Sequence, residues 1–273
     1  MELTALRRYP VKSLGGHAVD SAVVEPWGLA GDRRWAVLTP DGKEVTARDH
    51  PVLLLIRPTL TDDGALALHA QGREPLVVHA PTSGPTYVSE WIGRTIGAAP
   101  QAATWLSDVI GFEVVLVHQQ DPVADRSMSA DHGGRTGDSV CLADDAPLLL
   151  TSTSSLSRLD TWMQITAEER GEPAPESLSM VRFRPNLVID GDGPFTEDLW
   201  RRVRIGDLEL RFAECCDRCV LPTYDPDTLA KTHEPTRTLA RHRSWGGKVW
   251  FGIRLVPVGT GILRVGDEVV RLE

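Results

Sequence analysis

The sequence predicts a mainly β protein with a few helices, an α+β chain, and three observations carry that expectation. Short runs recur in which apolar and polar residues alternate, as in Leu208-Glu209-Leu210-Arg211-Phe212, which is the period of a half-buried strand. Turn signals such as Pro40-Asp41-Gly42-Lys43 and Thr61-Asp62-Asp63-Gly64 separate the runs, because Asp and Gly supply turn hydrogen bonds and backbone freedom. A content of 24 Gly and 19 Pro favours many short elements over long helices. Strands at this spacing suggest a barrel or a sandwich.

Residues 3–9 read as a first strand, stopped by Pro10. Lys12 and Ser13 then offer a point charge and a hydroxyl at a strand end, and Gly15-Gly16 permits a tight turn. That pair is an anion grip or a solvated turn. Residues 20–25 read as a short strand, and Gly28 to Gly31 as a turn running into another. Alternation places Arg33 with Trp35 and Val37, and Arg34 with Ala36 and Leu38. One arginine therefore points inward at the strand's start, where it pairs with an acid or binds an anionic ligand.

Residues 45–48, 52–57 and 65–70 read as further strands. Residues 100–111 read as a helix, with Ala103, Leu106 and Ile110 at helical spacing and Gly111 as the stop. A strand is expected over 112–117. No Gly-rich phosphate loop accompanies this helix–strand unit, so a dinucleotide-binding fold gains no support. Residues 121–137 read as a polar, mobile loop and 139–142 as a strand. Asp144 and Asp145 precede the apolar run Leu148-Leu149-Leu150 and read as a solvated turn. Ser154 or Ser155 is expected to cap a helix bearing Leu156, Leu159 and Met163, with a loop over 166–177. Residues 182–189 read as the start of a strand carrying Arg182, Arg184 and Asn186. A final β region follows the cysteines. A boundary is expected between His118 and Arg135, giving domains 1–120 and 121–273.

The net charge of −9 argues against nucleic acid as the main partner. The first residues lack the apolar core of a secretory signal, and no apolar run is long enough to cross a bilayer. A cytoplasmic chain with reduced thiols and no membrane partner is expected. Three of the four cysteines, Cys215, Cys216 and Cys219, cluster. They are expected just past the end of the strand at 208–212, on an irregular loop set by Pro222 and Pro226. Cys216 and Cys219 form a C-x-x-C pair, which can hold zinc, exchange disulfides or form one. A second zinc-ligand pair and a helix N-terminus are both missing from the reading. A single thiolate on a soft metal needs neither, and Arg218 lies adjacent. The remaining reading is a small buried hydrophobe.

Taken together, Tyr9-Pro10-Val11-Lys12-Ser13, Gly31-Asp32-Arg33-Arg34-Trp35 and Thr46-Ala47-Arg48 resemble the N-terminal β-barrel domain that accompanies MOSC domains. Arg182-Phe183-Arg184-Pro185-Asn186, Cys216-Asp217-Arg218-Cys219, Asp225-Pro226-Asp227-Thr228 and Val265-Gly266-Asp267 resemble the MOSC domain itself. The ordered set covers nearly the whole chain and is most similar to the amidoxime-reducing branch. The resemblance implies two β-barrel-like domains and a bound molybdenum cofactor. It implies Cys219 as metal ligand and Asp144 as an acid near the metal, together the catalytic pair. It implies Lys12, Ser13, Arg33, Arg184 and Asn186 as holding the pterin and phosphate.

The activity so implied is reduction of N-hydroxylated or other N–O compounds, independent of pyridoxal phosphate. Relatives with an appended ferredoxin domain carry further cysteines. This chain reaches Glu273 without them, so electrons are expected from a separate ferredoxin-, flavin- or cytochrome-type protein. Two other readings stay open: a persulfide sulfur carrier, and a cofactor-binding protein without turnover. The chain departs from the family pattern in carrying Asp145 and Ala146 where hydroxyl residues are usual, and in the extra thiol of Cys215.

Overall fold

Two compact units are present in the computed structural model, which describes residues 1–89 and 92–273. One, here the N-terminal unit, comprises Arg8–Ala18 and Glu25–Pro147; the other, the C-terminal unit, comprises Met1–Arg7, Val19–Val24 and Leu148–Glu273. This division differs from a single cut at 120/121. The first seven residues belong with the C-terminal unit because the strand Leu3–Arg8 pairs with Leu187–Ile189. Among the described residues the protein is mostly β with four α-helices, the class expected. No helix among them is long and apolar enough to cross a membrane.

In the N-terminal unit, four antiparallel strands lie in the order Trp35–Leu38, Val115–His118, Gly93–Gly97, Thr86–Ser89. A second sheet is the meander Arg57–Leu60, Leu66–His69, Leu76–Val78. All four residues of Trp35–Leu38 are buried, so this strand is covered on both faces. Ala36 and Leu38 pack with Ile92, Val117 and Leu142. The helix α1 (Pro100–Ile110) forms as expected. Pro100 suits its first turn, where the missing N–H is not needed, and Gly111 closes it at φ 94°.

Several local expectations fail here. Residues 51–55 form a 3-10 helix, and the strand begins only at Arg57. The run Val52 to Ile56 is continuously apolar, so alternation gave no period to read. Residues 45–48 form no strand, and a turn takes residues 47–49. The Thr46 hydroxyl donates to Asp49 Oδ2 at 2.9 Å, and the Thr46 carbonyl accepts from Asp49 and His50 N–H, a local alternative to a ladder. Residues 139–142 make only an isolated bridge, Ser127 to Ser139. Within 121–137 a short helix α2 (Pro122–Asp125) forms, because the Asp121 carboxylate accepts from the N–H groups of Val123 and Ala124.

In the C-terminal unit one sheet runs Val269–Arg271, Arg202–Ile205, Leu208–Asp217, Lys248–Pro257, Leu148–Ser152, Leu187–Ile189, Leu3–Arg8. Leu148–Ser152 and Leu187–Ile189 are parallel. Such a pair needs a crossover, and the helix α3 (Thr153–Arg170) supplies it. Its cap is Ser152, whose hydroxyl accepts from the Ser155 N–H at 3.2 Å, not Ser154 or Ser155. The helix takes in the start of the expected loop and ends at Gly171, φ 64°. Leu159 and Met163 bury against Phe183, Leu239 and Phe251.

A second helix, α4 (Thr236–His242), was not expected. The region 182–189 divides into a 3-10 turn at Met180–Phe183 and the strand Leu187–Ile189. Pro185 lacks the N–H that a continuous ladder would use. The strand Leu208–Asp217 is longer than expected and contains Cys215 and Cys216, with Cys215 opposite Ile253. Only Cys219 lies beyond its end.

Candidate functional site

In the N-terminal unit the segment from Tyr9 to Lys12 is stitched alongside Trp35. Trp35 N–H donates to the Pro10 carbonyl at 3.1 Å, and Lys12 N–H donates to the Trp35 carbonyl at 2.7 Å. The close approach explains the glycine pair that follows. A Cβ on Gly16 would stand 2.3 Å from the Tyr9 ring. This stitching turns Lys12 inward, where it is 8% exposed. Its ammonium lies 3.0 Å from Asp144 Oδ1 and 3.1 Å from Glu44 Oε1.

Asp144 itself stays open to solvent, with a side chain 59% exposed. Surrounding protein acts to raise its pKa, but Lys12, then Arg48 and Arg33, outweigh that and hold it well below the usual carboxylate range. It is a carboxylate at neutral pH. Asp144 is thus more than the solvated turn expected of it: it is one half of an ion pair with a buried lysine.

Arg33 is the inward arginine, and its partner is an acid. Asp32 is fully buried; its Oδ1 accepts from Tyr9 N–H at 2.7 Å and its Oδ2 lies 2.5 Å from Arg33 Nη1. Burial acts to lower the Arg33 pKa, and Asp32, then Cys141 and Tyr9, together more than reverse it. The guanidinium also lies over the Tyr9 ring, 4.7 Å from its centroid. Arg34 donates to the carbonyls of Gln119 at 2.6 Å and Gln120 at 2.8 Å.

In the C-terminal unit the cysteines differ sharply. Cys215 is half-buried; burial, and then Asp198, push its thiol up to about 11. Cys216 is buried, and its Sγ accepts from Arg218 Nη1 at 2.9 Å. The same guanidinium donates through Nη2 to the Phe183 carbonyl at 2.8 Å. Cys219 is exposed, on the loop that leads into the 3-10 turn Leu221–Thr223. In the N-terminal unit Cys141 is wholly buried, and burial, then Asp32, push it to about 11. Among the four, Cys219 is the thiol presented to solvent, and a thiolate there suits a soft metal.

Arg184 ends the 3-10 turn in left-handed conformation, φ 57°. Asn186 is 1% exposed, and its amide serves the backbone: Oδ1 accepts from Leu149 N–H at 3.3 Å and Nδ2 donates to the Arg7 carbonyl at 3.3 Å. Sequence reasoning missed Arg254, which is buried and binds Glu214 at 2.5 Å and Asp217 at 2.8 Å. The signal was the pair of acids flanking the cysteines, which only the pairing of Leu208–Asp217 with Lys248–Pro257 brings to one arginine.

Five non-glycine residues among those described have left-handed φ: Ser13 at 69°, Arg33 at 45°, Arg184 at 57°, Phe195 at 62° and Leu229 at 61°. Each costs on the order of 1 kcal/mol or more, and such strain gathers at functional positions. Three of the five are positions picked out by the resemblance.

The MOSC N-terminal beta barrel domain matches residues 1–113 and the MOSC domain matches residues 137–270. The mitochondrial amidoxime-reducing component 1 of Mus musculus is 33% identical over 97% of this chain and 80% of its own length. The chain belongs to the MOSC-domain family. The human amidoxime-reducing component 1 is likewise 33% identical, over 97% of this chain and 81% of its own length. The molybdenum cofactor sulfurase of Danio rerio is 30% identical over 98% of this chain but only 34% of its own length. Among solved structures, the YuaD protein of Bacillus subtilis aligns with 98% of this chain and 93% of its own, at 13% identity and a TM-score of 0.42.

Proposed function

We propose that this MOSC protein is a molybdenum-cofactor oxidoreductase that reduces N-hydroxylated or other N–O compounds, with electrons from a separate donor protein. The observation that carries the reading is the left-handed backbone at Ser13, Arg33 and Arg184. Backbone strain gathers at functional positions, and here it falls on a hydroxyl and two guanidiniums. The amidoxime-reducing names of the relatives, over nearly the full chain, support the reaction class.

Each unit, taken by itself, offers residues whose chemistry suits the group. Cys219 offers an exposed soft sulfur for the metal. Ser13, Arg33 and Arg184 offer a hydroxyl and two guanidiniums for an anionic pterin phosphate. When bound, the cofactor would supply the two-electron chemistry, and the protein the ligation, charge and shape. Lys12 would keep Asp144 ionised and aimed. Asp144, as a carboxylate, would orient the leaving oxygen by accepting a hydrogen bond from the proton that oxygen carries. Asn186 would serve by fixing the strand after Arg184, since both ends of its amide are engaged by backbone.

Protein made in a cofactor-competent host should contain near-equimolar molybdenum by elemental mass spectrometry, with pterin fluorescence after oxidation. Cys219→Ala should lose the metal and all metal-dependent reduction, whereas Cys216→Ala should keep the metal. Full activity in Cys219→Ala would sink the assignment. The exposure of Cys219 also favours a second reading, in which it carries a persulfide. Cyanide-labile sulfur on metal-free, well-folded protein would select that reading.

A further inference from the structure

Arg126 lies just after α2 in the polar stretch 121–137. Its position is fixed from three sides. The helix before it is capped by Asp121. The helix end packs so closely on Gly93 that a Cβ there would stand 2.2 Å from the Asp125 carbonyl oxygen. The carbonyl of Arg126 itself accepts from Val140 N–H at 3.2 Å.

From this base the guanidinium reaches three backbone carbonyls of one short segment. Nη1 donates to Cys141 at 2.7 Å and to Ala143, and Nη2 donates to Asp144 at 2.6 Å. Successive carbonyls of a pleated strand point opposite ways, yet those of Ala143 and Asp144 both face Arg126. The guanidinium therefore sets the peptide planes on either side of Asp144 in a geometry that a strand would not adopt. Hydrogen bonds from a charged donor are the strong ones, and a planar fork serves several acceptors at once. With the backbone fixed, the Asp144 side chain meets Lys12.

We propose that Arg126 is the positioning residue for Asp144, clamping the carbonyls of residues 141–144 so that the carboxylate is delivered to Lys12. The importance of that delivery for reduction rests on the reading of Asp144 given above; the clamp itself does not.

The test uses the full chain from a cofactor-competent host as wild type, Arg126→Lys, Arg126→Gln and Asp144→Asn. Amide exchange is followed by mass spectrometry in peptides covering 139–147, with 35–38 as internal control. Reduction of N-hydroxybenzamidine is measured with reduced methyl viologen as electron source. In both Arg126 variants exchange over 141–145 should rise about tenfold, while 35–38 is unchanged. At unchanged molybdenum content kcat should fall about tenfold with KM within about twofold, the mark of a misplaced group rather than lost binding. Arg126→Lys should not rescue, because it keeps the charge but one ammonium cannot span three carbonyls.

Wild-type exchange over 141–145 in Arg126→Lys, which is the variant more certain to fold, would overturn the clamp. So would wild-type kcat in Arg126→Lys alongside a reduced kcat in Asp144→Asn. Wild-type kcat in Asp144→Asn would overturn the role given to Asp144, and the exchange result alone would then decide the clamp.

Discussion

The loop that carries Asp144 and the loop that carries Cys219 are each held by an arginine, but the acceptors differ. Arg126 binds three carbonyls within 141–144. Arg218 binds one carbonyl, that of Phe183, and one sulfur, that of Cys216. Carbonyl acceptors belong to the backbone and survive substitution of their own residues. A sulfur acceptor does not, so one of the two holds on the cysteine loop is lost with the Cys216 side chain, whereas no hold on the acid loop is lost with a side chain of 141–144. The comparison gives two neighbouring thiols separate duties. Cys216 anchors Arg218 from within the strand, and Cys219 is left exposed.

The largest expected effect breaks the support beneath the cysteine loop. Arg254→Met leaves Glu214 and Asp217 without the buried cation they share. A loss of about 2 kcal/mol in unfolding free energy is expected, reduced from the fully buried case because both acids are partly solvated. Urea unfolding measures it, and a loss under about 0.5 kcal/mol would show the pair to be a surface ornament.

A smaller effect isolates the strain. Arg184→Gly and Arg184→Ala both remove the guanidinium, but only glycine accepts φ 57° freely. The glycine variant should be the more stable of the two by about 1 kcal/mol in the same experiment. Equal stabilities would mean that the left-handed backbone at Arg184 relaxes without cost.

On the acid loop, Lys12→Met removes the charge that holds the Asp144 pKa down. A depressed carboxylate pKa contributes stability that is full above the unfolded value, about 3.9. That contribution is lost as pH falls through the lower folded value. The stability difference between wild type and Lys12→Met should therefore be level near neutral pH and shrink below about pH 4. Thermal unfolding at a series of pH values reads it, and a difference that grows on acidification would contradict the pairing.

The smallest effect sharpens the contrast among thiols. Iodoacetamide at pH 8 should label Cys219 first. Cys141 and Cys215, both pushed up to about 11, should remain unlabelled in the native protein, because the thiolate is the reacting form. Peptide mass spectrometry identifies the site, and early labelling of Cys215 would overturn this order.

The mainly β class was legible in the sequence from alternation at 208–212, turn chemistry at 40–43 and 61–64, and the abundance of Gly and Pro. So was α1, whose apolar spacing and Gly stop are local signals. The family was legible too, from ordered motifs no one of which is distinctive alone. Other features were not. The apolar run at 52–56 carries no period, so it gave a strand where a 3-10 helix forms. Residues 45–48 were lost to a threonine hydroxyl that competes with the ladder. At Arg33 the reading stopped at two alternatives, acid or anion, and only the fold shows that Asp32 takes one edge of the guanidinium.

What the sequence by itself determined was therefore what depends on neighbours along the chain: periodicity, caps, turns and the identity of each side chain. The tertiary structure alone decided how Asp144 and the thiols are distinguished from one another. Arg126 reaches carbonyls 15 to 18 residues away, and every residue carries a carbonyl, so no letter of the sequence marks those acceptors. The graded exposure of Cys141, Cys215, Cys216 and Cys219 has the same origin. Burial is set by which strands pair across the sheet, and that pairing is written between distant segments rather than within any one of them.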